Sequence, residues 1–164
     1  MFKSVYCLFL GVIVMLTSAC QTSLPTPKDV KEPVKQEATA SDEKISKQVN
    51  YIKSSLKLGM TQEEVTSLFG DRFIDVEDNG DLENGGDSFW LYRFFKQNDY
   101  KSAFPDYVVD KEGLKERKVG ADLFIAWKNK KVHLYSVSYV QGSDNQVHQY
   151  VVKPDGTIED GPLS

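Results

Sequence analysis

The sequence predicts an α+β domain in which two short N-terminal helices pack on one face of a predominantly antiparallel sheet of four to six strands. Three observations favour this class. Apolar residues recur at helical spacing over 45–70, they alternate with polar residues from about residue 73 onward, and turn residues separate the alternating runs. Because the helices precede the strands instead of alternating with them, we expect separate layers of helix and sheet.

The first 19 residues have the features of a lipoprotein signal peptide. Lys3 precedes an apolar run, 5–16, that is too short to cross a hydrocarbon core about 30 Å thick but has the length of a secretory signal. Small residues then lead to Cys20, as in bacterial lipoproteins, which this segment resembles. We expect cleavage before Cys20 and lipid on its thiol. An ordinary signal peptide cut near Ala19 and an uncleaved anchor are the alternatives.

Charge and cysteine content exclude several function classes. Removal of the signal peptide takes the formal charge from −4 to about −5, so nucleic acid and anionic lipid are not expected partners. Of the two cysteines, Cys7 leaves with the signal peptide and Cys20 carries the lipid. The folded part therefore has no cysteine for a disulfide, a thiol nucleophile or zinc.

A tether and a first helix follow the lipidated cysteine. Residues 20–44 contain three prolines, dispersed charges and almost no large apolar residues, which predicts a flexible tether. The folded domain is expected to span 45–164. Its first helix is predicted over 45–56, where apolar residues recur at spacings of three and four.

The second helix has the clearest local signals in the chain. Thr61 and Glu64 have the spacing of a capping box, in which each side chain accepts a hydrogen bond from the other residue's backbone N–H. Met60 and Val65 occupy the positions of a hydrophobic staple around that cap. Gly70 is placed to end the helix in a left-handed conformation.

Strands are predicted for most of the remaining chain. The segment 97–120 has no regular pattern apart from a short candidate strand at 107–109 and a turn at 111–113. Residues 128–130 connect an antiparallel hairpin, and 154–156 form a closing turn. The predicted strands are 73–77, 88–96, 121–127, 131–140 and 147–152.

These motifs resemble the SmpA/OmlA family of small envelope lipoproteins, which have a BamE-like fold. The resemblance is carried by the Leu-Gly-Met-Thr helix start at 58–61, by Glu64 and Val65, by Leu-Phe-Gly at 68–70, and by the aromatic strand 89–94. The family usually has proline soon after the Leu-Gly, where this chain has Asp-Arg at 71–72. The resemblance implies a fold and a scaffolding or inhibitory style of action in the cell envelope.

The sequence lacks an enzyme's signature. His133 and His148 each lie within a predicted strand without a flanking acid, and no glycine-rich phosphate loop, nucleophile elbow or paired metal-ligand motif is present. We therefore predict a non-enzymatic protein without a cofactor.

One acidic turn is a weak candidate for a cation site. Asp75, Glu77, Asn79 and Asp81 supply oxygen ligands at alternate positions, as at the start of a calcium loop. Gly86 stands where such a loop needs a bidentate glutamate, so a solvated acidic turn is the preferred interpretation and no metal is predicted.

Aromatic strand residues form the candidate interface. One face of the 88–96 strand carries Trp90, Tyr92 and Phe94, and Tyr135 and Tyr139 extend this face from the neighbouring hairpin. If the face is open, it marks a protein-binding surface. The alternative is that 97–120 folds across it.

Taken together, these features predict a lipid-anchored, protein-binding or scaffolding module on the extracytoplasmic side of a cell membrane. Its partner would be another envelope protein. The alternative is a lipoprotein that senses a small ligand or a cation by closing its long loops over it.

Overall fold

One antiparallel sheet of six strands, ordered β1-β2-β3-β4-β5-β6, organises the domain. The computed structural model of the chain describes residues 40–77 and 85–163. The signal peptide, Cys20 and most of the predicted tether lie outside these ranges. The strands are β1 (Ile74–Val76), β2 (Ser88–Phe94), β3 (Ala121–Lys128), β4 (Lys131–Val140), β5 (Val147–Val152) and β6 (Ile158–Pro162). The predicted α+β class with a mainly antiparallel sheet is confirmed.

Among the residues that the structure describes, three α-helices accompany the sheet, namely α1 (Asp42–Ser55), α2 (Gln62–Phe69) and α3 (Lys111–Lys115). The first helix begins three residues before the predicted one because Ser41 caps it, its Oγ accepting a hydrogen bond from the Lys44 N–H at 3.3 Å. A short 3₁₀ turn, Gly142–Asp144, joins β4 to β5. Within the described residues, no helix is long and apolar enough to span a membrane.

The second helix starts and ends as predicted. Thr61 Oγ1 accepts from the Glu64 N–H at 3.2 Å, and Glu64 Oε2 accepts from the Thr61 N–H at 2.8 Å, which completes the capping box. Gly70 ends the helix at the predicted residue with φ +83° and ψ −175°, a positive-φ extended conformation that favours glycine but is not the predicted left-handed helical one. The local signals were sufficient here because both caps lie within a few residues of the helix.

Three details of the C-terminal half were predicted wrongly. Residues 107–109 form a loop instead of a strand, and α3 replaces the predicted turn at 111–113 because Asp110 caps it. The sixth strand, β6, was not predicted. It pairs with β5 after the turn at 154–156, and its sequence Ile-Glu-Asp-Gly-Pro has no alternation that would have indicated a strand.

The sheet has two faces with different surroundings. The first face carries large side chains that belong to one hydrophobic cluster with residues of α1 and α2, and the second face carries a mixture of apolar and polar groups. First-face residues include Trp90, Tyr92, Leu123, Ile125, Tyr135, Val137 and Tyr139. Second-face residues include Phe89, Leu91, Arg93, Asp122, Phe124, Leu134, Ser136, Ser138 and Gln149.

Residues 97–119 form a long loop, here called the strap, that connects β2 to β3. Its ends are joined because the Gln97 N–H donates to the Lys118 carbonyl at 2.9 Å. Leu114 and Val119 of the strap pack with Val140 and Val147, which lie on the second face. The strap therefore covers one end of the second face.

Candidate functional site

The predicted aromatic interface is buried. Trp90 and Tyr139 are 7% exposed, Tyr92 and Tyr135 are less exposed than this, and Phe94 is half-buried. These residues share a cluster with Ile45, Val49 and Ile52 of α1 and with Val65 of α2. The prediction that this face is open was wrong, and the alternative that 97–120 folds across it was also wrong, because the strap contacts the second face.

Hydrogen bonds from two tyrosines connect the buried face to the ends of the helices. The Tyr135 hydroxyl donates to the Leu56 carbonyl at the end of α1, and the Tyr92 hydroxyl donates to the Gly70 carbonyl at the end of α2, each at 3.0 Å. The hydroxyls therefore satisfy helix-end carbonyls that would otherwise lack partners. Burial raises the pKa of both phenols to about 12.

The second face holds the candidate functional site, an apolar groove. Its cavity has a volume of about 80 Å³, and the strap forms one wall of it. Phe89, Phe124 and Leu134 on the floor are half-buried, whereas Tyr107 on the strap is 37% exposed. The lining residues are Val76, Glu77, Phe89, Tyr107, Val109, Phe124, Ile125, Ala126, Leu134, Ser136 and Gln149.

The strap is held beside this groove by an ion pair. Arg93 of β2 donates from Nη1 to Asp106 Oδ1 in the strap at 2.7 Å. The Arg93 side chain is only 6% exposed. Next to it, Asp122 of β3 is fully buried, with its Oδ1 at 3.3 Å from Arg93 Nε.

A second buried carboxylate, Asp110, organises the strap itself. Its Oδ1 accepts from the Gly113 N–H at 2.9 Å, and its Oδ2 accepts from the Tyr100 hydroxyl at 2.7 Å. Burial acts to raise the pKa of Asp110, but these hydrogen bonds outweigh it and lower the pKa. Burial and the Asp110 carboxylate raise the pKa of Tyr100 to about 12.

The pKa of Asp122 shifts in the opposite direction, upward. Desolvation raises its pKa to about 6; the Arg93 guanidinium opposes this shift, and the like charge of Asp110 adds to it. Neither carboxylate oxygen of Asp122 has a hydrogen-bond partner. Sequence analysis did not single out Arg93, Asp110 or Asp122, since only the strand register and the strap bring them together.

The other sequence-predicted candidates do not assemble a site among the described residues. His148 on β5 has its Nε2 2.8 Å from Asp144 Oδ2, an acid that sequence analysis did not assign to it. His133 lies near the start of β4, whereas the β4 residue that pairs with His148 is Tyr139, near the end of that strand. Asp75 lies on β1 and Glu77 follows it, both exposed, while Asn79 and Asp81 lie outside the described residues. No cluster of three metal-ligating residues occurs within 40–77 and 85–163.

Comparison with known protein families, with curated proteins and with solved structures finds no match to this chain.

Proposed function

We propose that this chain is a lipid-anchored, non-enzymatic envelope protein whose folded domain binds another extracytoplasmic protein at the groove on the second face. The single observation that carries the proposal is this groove, an apolar cavity that stays accessible on the described part of the chain although the aromatic first face is buried. The signal peptide and the small residues that lead to Cys20 support the location on the outer side of a membrane.

The groove's lining indicates the chemistry of the bound segment. Phe89, Phe124 and Leu134 supply apolar contacts, and Ser136 and Gln149 supply polar groups at one side. A partner would insert one apolar side chain and leave its backbone at the polar edge, which is the usual arrangement of an interface core and its rim. Aromatic side chains such as Phe89, Phe124 and Tyr107 are enriched in the cores of protein interfaces.

The size of the groove supports a protein partner more than a small ligand. Pockets that enclose small organic ligands commonly have volumes of about 300–1,000 Å³. The groove, at about 80 Å³, has room for part of one side chain. A groove of this size does not favour the alternative of a small-ligand sensor at this site.

The resemblance to BamE-like domains extends the proposal to the face of the sheet that the helices cover. In this proposal α1 and α2 cover the first face as in a BamE-like domain, and they leave the second face for binding. The capping box at Thr61 and Glu64, the positive φ of Gly70 and the cluster that α1 shares with the first face support it.

Crosslinking in intact cells tests the binding function. A photoreactive residue at position 134 in the groove floor should capture an extracytoplasmic protein, and the same residue at position 158 should not. Ile158 is the control because it lies on β6 outside the groove and is 57% exposed. Equal capture from both positions, or none from position 134, would refute the proposed binding surface.

A matched pair of substitutions tests the same point without a photoreactive group. Leu134→Ser should remove most of the capture of the partner, whereas Ile158→Ser should leave it unchanged. Circular dichroism of both purified variants should show the wild-type content of strand. Loss of binding in both variants would mean that the groove is not the determinant.

A further inference from the structure

The strap lies directly over a buried negative charge. Asp122 is fully buried, yet neither of its oxygens makes a hydrogen bond, and Arg93 Nε and Nη2 beside it are also buried without hydrogen-bond partners. A buried charged group without hydrogen bonds is costly, and most native structures avoid it. The ionised form of Asp122 therefore weakens the structure that covers it.

Groups on three elements face the Asp122 carboxylate. From β2 comes the Arg93 guanidinium, and from β4 comes the buried, uncharged Ser138, which is the register partner of Asp122. The strap contributes the carboxylate and the backbone N–H of Asp110, and neither group has hydrogen-bond geometry with Asp122. The Tyr100 hydroxyl donates a hydrogen bond to Asp110.

Several carboxylates in this cluster depend on the Arg93 guanidinium. Arg93 pairs with Asp106 and Asp122, and its charge also lowers the pKa of Asp110. Asp110 also interacts electrostatically with Lys118, whereas Asp122 shares Arg93 with both other carboxylates. Protonation of Asp122 removes a desolvated charge and relieves its repulsion by Asp110, while the Arg93–Asp106 pair keeps the strap on the sheet.

We propose that the strap is a pH-dependent cover of the second face, held closed when Asp122 is protonated and loosened when Asp122 is ionised. Tyr107 and Val109, which line the groove, lie between Asp106 and Asp110 on the strap. Loosening of the strap therefore moves one wall of the groove. This last step, control of access for a partner, rests on the proposed binding function; the movement of the strap does not.

The direction of the effect follows from linkage. The pKa of Asp122 is raised in the closed state to about 6 from an ordinary value of 3.8. A proton therefore favours closure, and the stabilisation, complete below pH 3.8, is lost as the pH rises to about 6. If opening exposes Asp122 to water, the opening equilibrium should increase about 25-fold between pH 4.5 and pH 7.

Hydrogen exchange of the full-length lipidated protein in detergent tests this inference. The reporters are strap amides that donate within the closed strap, such as those of Gln97, Gly113 and Val119, and the same amides in the Asp122→Asn variant are the reference. After correction for intrinsic exchange, the wild-type strap amides should lose about 25-fold of protection between pH 4.5 and pH 7.

Substitutions at two positions separate the role of Asp122 from a general loosening of the strap. Asp122→Asn should keep the strap protected equally at both pH values, and Asp122→Ser, which fits beside Ser138, serves if the Asn variant does not fold. Asp106→Asn removes the exposed partner of Arg93 and should lower protection at both pH values while keeping the pH dependence. A wild-type strap without pH dependence, or an Asp122→Asn strap that keeps it, would overturn the proposal.

Partner capture distinguishes this inference from the function on which its last step rests. Crosslinking from position 134 should be stronger at pH 7 than at pH 5 in wild type and independent of pH in Asp122→Asn. Capture at neither pH refutes the binding function and the control of access while the exchange result stands. Capture that does not change with pH, in a protein whose strap does, overturns the control of access alone.

Discussion

Arg93 and Asp122 are register partners on β2 and β3, and their side chains meet at 3.3 Å between Nε and Oδ1 without forming a hydrogen bond. Both are buried beneath the strap, and the same guanidinium reaches Asp106 on the strap at 2.7 Å. A buried pair with incomplete hydrogen bonding contributes little net stability, since desolvation offsets the attraction of the charges. Its larger effect is to make the attachment of the strap depend on protonation.

The stability of the whole domain should also fall between pH 4.5 and pH 7. The raised pKa of Asp122, about 6, means that the folded state retains a proton in this range that the unfolded state has released. Wild type should lose about 2 kcal/mol of unfolding free energy relative to Asp122→Asn over this interval. Urea unfolding of both proteins at the two pH values measures it.

Two carboxyls whose pKa values are lowered, Asp144 and Asp155, do not obscure this measurement. Hydrogen bonds lower the pKa values of Asp144 and Asp155, the backbone N–H groups of Gln146 and Thr157 being the largest cause in each. These groups remain ionised throughout the interval, and their stabilisation is lost only at lower pH. A wild-type stability that rises with pH, relative to the variant, would contradict the burial of the Asp122 charge.

Gly113→Ala should loosen the strap. A Cβ at this position would lie 2.7 Å from both Asp110 Oδ2 and the Tyr100 hydroxyl oxygen, so the hydrogen bond between those groups must shift. We expect a loss of about 1–3 kcal/mol in urea unfolding, as for overpacking of other interiors. Gly161→Ala is the control, since nothing lies within 4 Å of its Cβ, and it should change stability by less than about 0.5 kcal/mol.

Thr61→Ala should destabilise the domain through α2. The substitution removes the oxygen that accepts from the Glu64 N–H and so breaks half of the capping box. A loss of about 1 kcal/mol is expected from thermal or urea unfolding. Ser67→Ala in the same helix is the comparison, because Ser67 is exposed and its hydroxyl only donates to the Glu63 carbonyl. Equal losses from the two variants would argue against the cap.

Cys20→Ala should release the protein from the membrane. The thiol of Cys20 is the expected site of lipid attachment, and acyl chains provide the anchor, each buried CH₂ contributing about 0.8 kcal/mol. Fractionation of cells followed by immunoblotting measures the membrane-bound share. Cys7→Ala, within the apolar run of the signal peptide, should remain anchored. Membrane retention of the Cys20→Ala protein would refute lipidation at this residue.

Elements with local signals were predictable from sequence, whereas the assignment of the sheet faces was not. The α2 helix has its cap and its terminating glycine within ten residues, so its bounds follow from neighbouring side chains alone. The 88–94 strand has large apolar groups on both faces, and alternation therefore gave no reason to bury Trp90 and Tyr92 rather than Phe89 and Leu91. Contacts with α1, which is far away in the sequence, determine that Trp90 and Tyr92 face the helices.

The sequence by itself determined the class of the domain, the bounds of α2 and most of the strands, because periodicity and capping act between residues that are close along the chain. It also contains the features that predict the lipid anchor at Cys20. Only the tertiary structure decided that the aromatic face is buried, that a groove opens on the other face, and that Arg93, Asp110 and Asp122 meet under the strap. Those outcomes depend on strand register and on the path of a long loop. Both bring together residues that are far apart in the chain, and the sequence around each residue does not predict the contact.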